Sequence, residues 1–215
     1  MRFAAVAACV AAVGLSGCSP SEQFWQKPDW GKEYTDARRA VKVGDPVRNL
    51  NLYDKHLAAF PVEIAALKNL ERLELRRNTV GALPPEIGQL TKLNWVDLGE
   101  TALTNVPPEI GRLAQLRTLY LSDNALTVLP DEIGHLESLT YLNLDRNKLT
   151  ALPAAIGTLK NLRWLRLNGN QLAALPETLS QLADSLQRLY LRGNPLPDPE
   201  KERIRKALPK TEVFF

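Results

Sequence analysis

Two cysteines, two histidines and one methionine are all that the 215-residue chain holds of these types, and each scarcity excludes something. Both cysteines, Cys9 and Cys18, fall within the first eighteen residues. From Ser19 onward there is no disulfide and no thiol nucleophile, so that stretch must draw its stability from a packed core. His56 and His135 stand far apart and read as solvated surface side chains rather than catalytic bases. No Ser/His/Asp arrangement, metal-spaced ligand set or glycine-rich phosphate loop occurs, so no enzymatic activity, metal or cofactor is expected. The 27 basic residues exceed the 24 acidic ones by only three. They form no run, which argues against a nucleic-acid partner. The N-terminal apolar stretch, Phe3 to Leu15, is shorter than the ~20 residues a bilayer-spanning helix needs.

That stretch has a different use. Arg2 precedes it, and Leu15-Ser16-Gly17-Cys18 closes it. The combination resembles the signal peptide and lipobox of bacterial lipoproteins. The resemblance implies removal of residues 1–17, a diacylglycerol on the Cys18 sulfur and an acyl chain on its new amino group, which together give firm membrane attachment. It implies a place in the bacterial cell envelope, and Ser19 behind the cysteine implies the outer membrane in a Gram-negative organism. An ordinary secretory signal or a buried N-terminal helix would use the same apolar residues. Residues 18–32, in which Ser19-Pro20-Ser21-Glu22-Gln23 follows the cysteine, read as a polar tether.

The rest is dominated by self-similarity. Val47, Leu70, Leu93, Leu116, Leu139, Leu162 and Leu186 open units spaced by 23 residues, with a single 24 at the end. The fourth unit reads Leu116-Arg117-Thr118-Leu119-Tyr120-Leu121-Ser122-Asp123-Asn124-Ala125-Leu126, followed by Leu129-Pro130 and Ile133-Gly134. The alternating L-x-L predicts a short strand with its leucines inward. The asparagine that follows (Asn78, Asn124, Asn147, Asn170, Asn194) is placed to satisfy backbone groups of the turn. Leu-Pro then leads into a short helical turn, with the proline in its first turn. Glu63, Glu86, Glu109, Glu132 and Glu177 sit near the positive end of that turn and read as structural. Lys55 and Thr101 replace the asparagine, and Val47, Val96 and Phe60 replace core leucines.

The pattern resembles the leucine-rich-repeat family over residues 47–196, some 70% of the chain. The resemblance implies an α/β fold: a right-handed solenoid with a parallel sheet on its concave face and short helical or turn segments on the convex side. One unit cannot bury its own hydrophobic residues, so the array needs neighbours and closed ends. Residues 33–46 are expected to form a helical N-terminal cap, with Thr35 as its N-cap residue. Seven repeats occupy 47–198. Residues 199–215 form a C-terminal cap, with Asp198 capping a helix to about Leu208 and Thr211–Phe215 as a final strand.

In each strand L-x-x-L-x-L-x the third, fifth and seventh residues should face outward. All six Tyr and Trp residues of the array fall in these slots. The resulting candidate contact surface comprises Tyr53; Arg72, Glu74 and Arg76; Trp95 and Asp97; Tyr120 and Ser122; Tyr141, Asn143 and Asp145; Trp164, Arg166 and Asn168; and Arg188, Tyr190 and Arg192. Trp95, Tyr120, Tyr141, Trp164 and Tyr190 come one per repeat and predict an aromatic stripe. Tyr, Trp and Arg dominate contact hot spots. Aromatics also favour strands for purely structural reasons. Two uses fit the stripe: a protein- or peptide-binding module on a membrane-anchored, monomeric chain, or a module that stacks the rings on cell-wall glycan.

Overall fold

The computed structural model describes residues 33–43 and 47–215; the expected cleavage site, Cys18 and the expected tether lie outside them. Nine strands form one parallel sheet in strict sequence order: β1 (Glu33–Tyr34), β2 (Asn49–Asn51), β3 (Arg72–Glu74), β4 (Trp95–Asp97), β5 (Thr118–Tyr120), β6 (Tyr141–Asn143), β7 (Trp164–Arg166), β8 (Arg188–Tyr190) and β9 (Glu212–Phe214). From β2 to β7 each residue pairs with the one 23 further on, as Arg72 with Trp95 and Tyr141 with Trp164. Among the described residues there are also two α-helices, α1 (Ala37–Val43) and α2 (Asp198–Ala207). Among the described residues no helix is long and apolar enough to cross a membrane.

From β2 to β8 each strand returns to the next through a 3-10 turn such as Pro85–Gln89, Pro108–Arg112 or Asp131–His135. The Leu-Pro proline is the extended residue before the turn rather than part of its first turn. Its carbonyl accepts the first bond of the turn, from Ile87 to Pro84 at 3.1 Å and from Ile110 to Pro107 at 3.0 Å. A fixed φ near −65° suits the extended conformation as well as the helical one. The leucines and isoleucines of all units make one continuous core in which most side chains are fully buried, Val47 and Val96 among them.

The asparagine of each unit ties two repeats together. The Asn147 amide nitrogen donates to the Leu121 carbonyl at 2.9 Å in the preceding repeat and to Leu144 at 3.0 Å in its own. Its oxygen accepts the Leu126 N–H at 3.1 Å. Asn78, Asn124, Asn170 and Asn194 repeat the scheme. Thr101 keeps only part of it, donating to Leu98 at 2.6 Å. Beside this ladder runs a second: Asp54, Arg77, Glu100, Asp123 and Arg146 all hold positive φ, as do Gly169 and Gly193 after them. Left-handed backbone costs a non-glycine residue roughly 1–2 kcal/mol. Here Arg77 pairs with Glu100, and Arg146 with Asp123, along the ladder.

Both ends are closed. Asp36, not Thr35, caps α1: its carboxylate accepts the Arg39 N–H at 2.7 Å, the bond an N-cap residue makes three positions on. The N-terminal side also contributes β1, a strand in addition to the helix expected there. At the other end β9 pairs with β8 as anticipated. Pro197 precedes α2, and Asp198 lies within the helix with its carboxylate turned to Lys201 rather than to a backbone N–H. Glu200 accepts the Leu175 N–H at 2.8 Å and Arg203 donates to the Leu175 carbonyl at 2.6 Å, which seals the last turn.

Asn147→Ala should destabilise the chain by about 1–3 kcal/mol, because the buried Leu126 N–H loses its acceptor while the Leu121 and Leu144 carbonyls each keep one of their two asparagine donors. Urea unfolding should show this loss, while Lys55→Ala at the equivalent position stays within about 0.5 kcal/mol; equal losses would contradict the ladder. Gly157→Ala should cost about 1–3 kcal/mol by overpacking. Its new methyl would run into the Thr178 carbonyl oxygen of the next repeat.

Candidate functional site

The outward slots of the strands form two rows on the sheet face, because the pairing register carries no offset. One row runs Asn49, Arg72, Trp95, Thr118, Tyr141, Trp164, Arg188, and the other Asn51, Glu74, Asp97, Tyr120, Asn143, Arg166, Tyr190. The aromatic side chains therefore zigzag between rows. Trp95 and Tyr120 are 5.6 Å apart at their ring centroids, Tyr120 and Tyr141 5.1 Å, and Tyr141 and Trp164 6.0 Å. The stripe does not run on unbroken to Tyr190. Arg188 lies over Trp164 and Arg166 over Tyr190, so guanidinium groups interleave with the rings.

The face is more self-contained than an open contact surface. Strands in a sheet are only about 4.8 Å apart, so bulky neighbours lean on one another. Tyr141 is 4% exposed and Trp164 7%, and Arg72, Glu74, Asp97 and Asp145 are buried as well. The Arg72 guanidinium is held by Glu74 at 2.7 Å and stacks on Trp95 at 3.8 Å. Arg72 Nε and the neighbouring Asn49 Oδ1 have no hydrogen-bond partner among the described residues. Asp145 accepts Arg166 Nε at 2.7 Å and the Asn168 N–H at 2.7 Å. The accessible remainder consists of Tyr53, Arg76, Trp95, Tyr120, Ser122, Asn143, Arg166, Asn168, Arg188, Tyr190 and Arg192, each exposed or half-buried.

Two further residues belong to the face. Glu212 and Phe214 continue the two rows from β9, opposite Arg188 and Tyr190. Phe214 stacks on Tyr190 at 4.6 Å with the rings 8° from parallel, and Glu212 accepts Arg188 Nε at 3.0 Å. The sequence pattern places them in the cap, and the 24-residue spacing of the last unit, continued from Arg188 and Tyr190, reaches both. Arg166, Arg188, Arg192, Tyr190, Phe214 and Glu212 surround a depression of about 430 Å³.

Charge on the face is unevenly stabilised. Burial, and then the nearby Glu74 carboxylate, push the Asp97 carboxyl up to about 6, against the opposing bond from the Gly99 N–H at 2.8 Å. Arg76 beside Glu100 holds that carboxyl below its usual range. Among the described residues no group of three or more His, Cys, Asp or Glu is arranged to hold a metal ion. His135 sits in the turn Asp131–His135, and His56 in the loop after β2, both away from the rows.

Fold and register define a repeat solenoid with one parallel sheet, and comparison with known proteins agrees. The profile described as leucine-rich repeat matches residues 68–126, 91–149 and 114–172. The chain belongs to the leucine-rich-repeat family. A solved leucine-rich-repeat protein of Leptospira interrogans is 47% identical, with a TM-score of 0.76 over 78% of this chain and 43% of its own. The ectodomain of a plant receptor kinase from Arabidopsis thaliana is 35% identical, with a TM-score of 0.59 over 63% of this chain and 17% of its own. An internalin of Listeria monocytogenes, 23% identical with a TM-score of 0.69 over 78% of this chain and 47% of its own, shares the fold. The chain thus spans less than half the length of these relatives. No significant match is found among curated proteins.

Asp97 makes stability depend on pH. Its folded-state pKa lies above the ordinary 3.8, so the folded chain holds this proton more tightly than the unfolded one. This contribution is favourable below pH 4 and fades as pH rises to about 6. Asp97→Asn keeps an acceptor for Gly99. It should match the parent at pH 3.5 and exceed it at pH 7 by up to about 3 kcal/mol, at 1.36 kcal/mol per pKa unit. Urea unfolding at both values checks this; a gain at pH 3.5 equal to that at pH 7 would refute it.

Proposed function

We propose that the chain is a lipid-anchored binding module of the bacterial cell envelope whose sheet face grips a protein or an extended peptide. The observation that carries this reading is the composition and rigidity of that face. Tyr, Trp and Arg side chains, the types that dominate contact hot spots, stand at fixed spacing on a nine-stranded sheet. Rings pressed against each other and guanidinium groups held by buried carboxylates lose little freedom on binding. The family supports a protein-binding role in general. The Arabidopsis ectodomain similar to this array was solved in complex with Casparian strip integrity factor 2.

Glycan binding is the weaker reading. A sugar ring needs an open aromatic face to lie on. The rings from Trp95 to Trp164 are tilted 46–59° to one another, and Tyr141 and Trp164 are already covered. An enzymatic reading finds little support either. Glu74 and Asp97 face each other across β3 and β4, but Glu74 is engaged by Arg72 and Asp97 by the Gly99 N–H. The anchor rests on the lipobox at Leu15–Cys18 alone, and the outer membrane is the place it favours in a Gram-negative cell.

Placing bulk on the face should block binding without opening the core. Thr118→Arg combined with Ser122→Arg should reduce recovery of crosslinked partners from envelope extract at least about tenfold, as hot-spot disruption does. Gln115→Arg, outside the face, should leave recovery unchanged. Undiminished recovery with the folded double variant would remove the binding role of this face. Separately, Cys18→Ser should abolish incorporation of labelled palmitate and release the chain from the membrane fraction; retained label would remove the anchor and leave the binding role standing.

A further inference from the structure

The depression at the C-terminal end of the face has one more fixed positive charge than negative. Arg166 is held by Asp145, whose side chain is 1% exposed, and Arg188 by Glu212, whose side chain is 57% exposed. Arg192 is exposed, and its guanidinium has no carboxylate partner among the described residues; it lies 6.0 Å over the Phe214 ring. Its backbone is fixed, the N–H donating to Asn168 Oδ1 at 2.9 Å. Below the arginines the stacked pair Tyr190–Phe214 presents an apolar floor. The cavity volume of about 430 Å³ falls within the ~300–1,000 Å³ of ordinary ligand sites.

We propose that this depression is a subsite for one acidic side chain, Asp or Glu, carried on an extended peptide with an apolar residue next to it. The inference rests on the binding-module reading above and adds the chemistry of the partner. Guanidinium groups take carboxylates through paired N–H donors, and one unmatched cation calls for one carboxylate. The apolar floor has no use for a small inorganic anion but suits a neighbouring Leu or Phe. A chain leaving the depression along the row of Tyr190 and Arg166 passes the half-buried Asn143 and Tyr120, which continue its track. Glu212 is the chain's own competitor. Its bond to Arg188 is solvent-exposed, the kind of surface pair that contributes little, and an incoming carboxylate can displace it.

The test uses fluorescein-labelled, C-amidated nonapeptide pools with a central Glu flanked by Leu or Phe and otherwise neutral residues, against pools with a central Gln. Fluorescence anisotropy with the full chain should show the Glu pool binding at least about tenfold more tightly, as a charge-assisted contact requires. Added salt should narrow the difference. Arg192→Gln should abolish the preference, and Glu212→Gln should strengthen Glu-pool binding by about threefold or more by removing the competitor. Both side chains are exposed or half-buried, and circular dichroism confirms that the variants fold. Equal binding of the two pools overturns the proposal. So does an unchanged preference in Arg192→Gln, or weaker binding in Glu212→Gln. Binding confined to Gln pools with a free C-terminal carboxylate overturns the assignment to a side chain. If Arg192→Gln recovers envelope partners normally while Thr118→Arg/Ser122→Arg does not, the subsite is lost and the binding module stands.

Discussion

The asparagine that follows each strand is the constraint on which the rest of this molecule depends. A parallel sheet built from three-residue strands has few backbone bonds with which to fix its register. One amide that reaches the carbonyl of its own repeat and that of the preceding one supplies the missing fixation. Because this link recurs from Asn78 to Asn194, successive strands align without offset. Zero offset sets the inward leucines in continuous layers, and it sets the outward residues in straight rows. The core and the candidate contact face are two consequences of one hydrogen-bond scheme. Thr101 shows how far the scheme bends: its hydroxyl holds the Leu98 carbonyl of its own repeat, and Asn124 takes Leu98 from the next one.

Straight rows bring large side chains closer together than they could be on a strongly twisted or staggered sheet. The face therefore stabilises itself: Arg72 is sandwiched against Trp95 and bonded to Glu74, and Asp145 is covered while holding Arg166. A buried ion pair is weak evidence of stability, since desolvation offsets much of its attraction. Here the pairs orient the cations. Asp97 shows the opposite case: a carboxyl covered by its neighbours without a guanidinium bonded to it, and burial raises its pKa. The face is thus preorganised where arginine and carboxylate match and strained where they do not.

Much of this was legible in the residues. The 23-residue period fixed the strands, their inward leucines, the asparagine ladder and the side on which every Tyr and Trp of the array would stand. What it could not give is how far those side chains lean. Period tells which side of a strand a residue occupies; exposure depends on the size of the neighbours one strand away, and the diagonal path from Trp95 through Tyr120 to Tyr141 follows from that packing. Cap details were hidden for a related reason. Thr35 and Asp36 are both good capping residues, and only the chain path decides that Asp36 reaches the Arg39 N–H. The glycines after the isoleucines show the same limit: Gly111 and Gly157 are required because the backbone carbonyls of Glu132 and Thr178 in the next repeat stand where a methyl would sit.

The C-terminal cap joins stability to the shape of the candidate contact face. A solenoid must cover its last layer of leucines, and β9 does so by pairing with β8 while α2 seals the final turn through Glu200 and Arg203. The same pairing extends both outward rows by one residue, so Glu212 meets Arg188 and Phe214 meets Tyr190. Without the cap the face would end on Tyr190 with one ring side bare and Arg188 without its carboxylate. With it, the face ends in a concavity floored by two rings and walled by three arginines, one of which keeps its charge unmatched. The strand that closes the core thereby makes the C-terminal end of the face chemically distinct from the centre, where rings meet rings. Under the proposed binding role, such an asymmetry would give a bound chain a preferred direction along the sheet, because the C-terminal end offers a cation in want of a carboxylate.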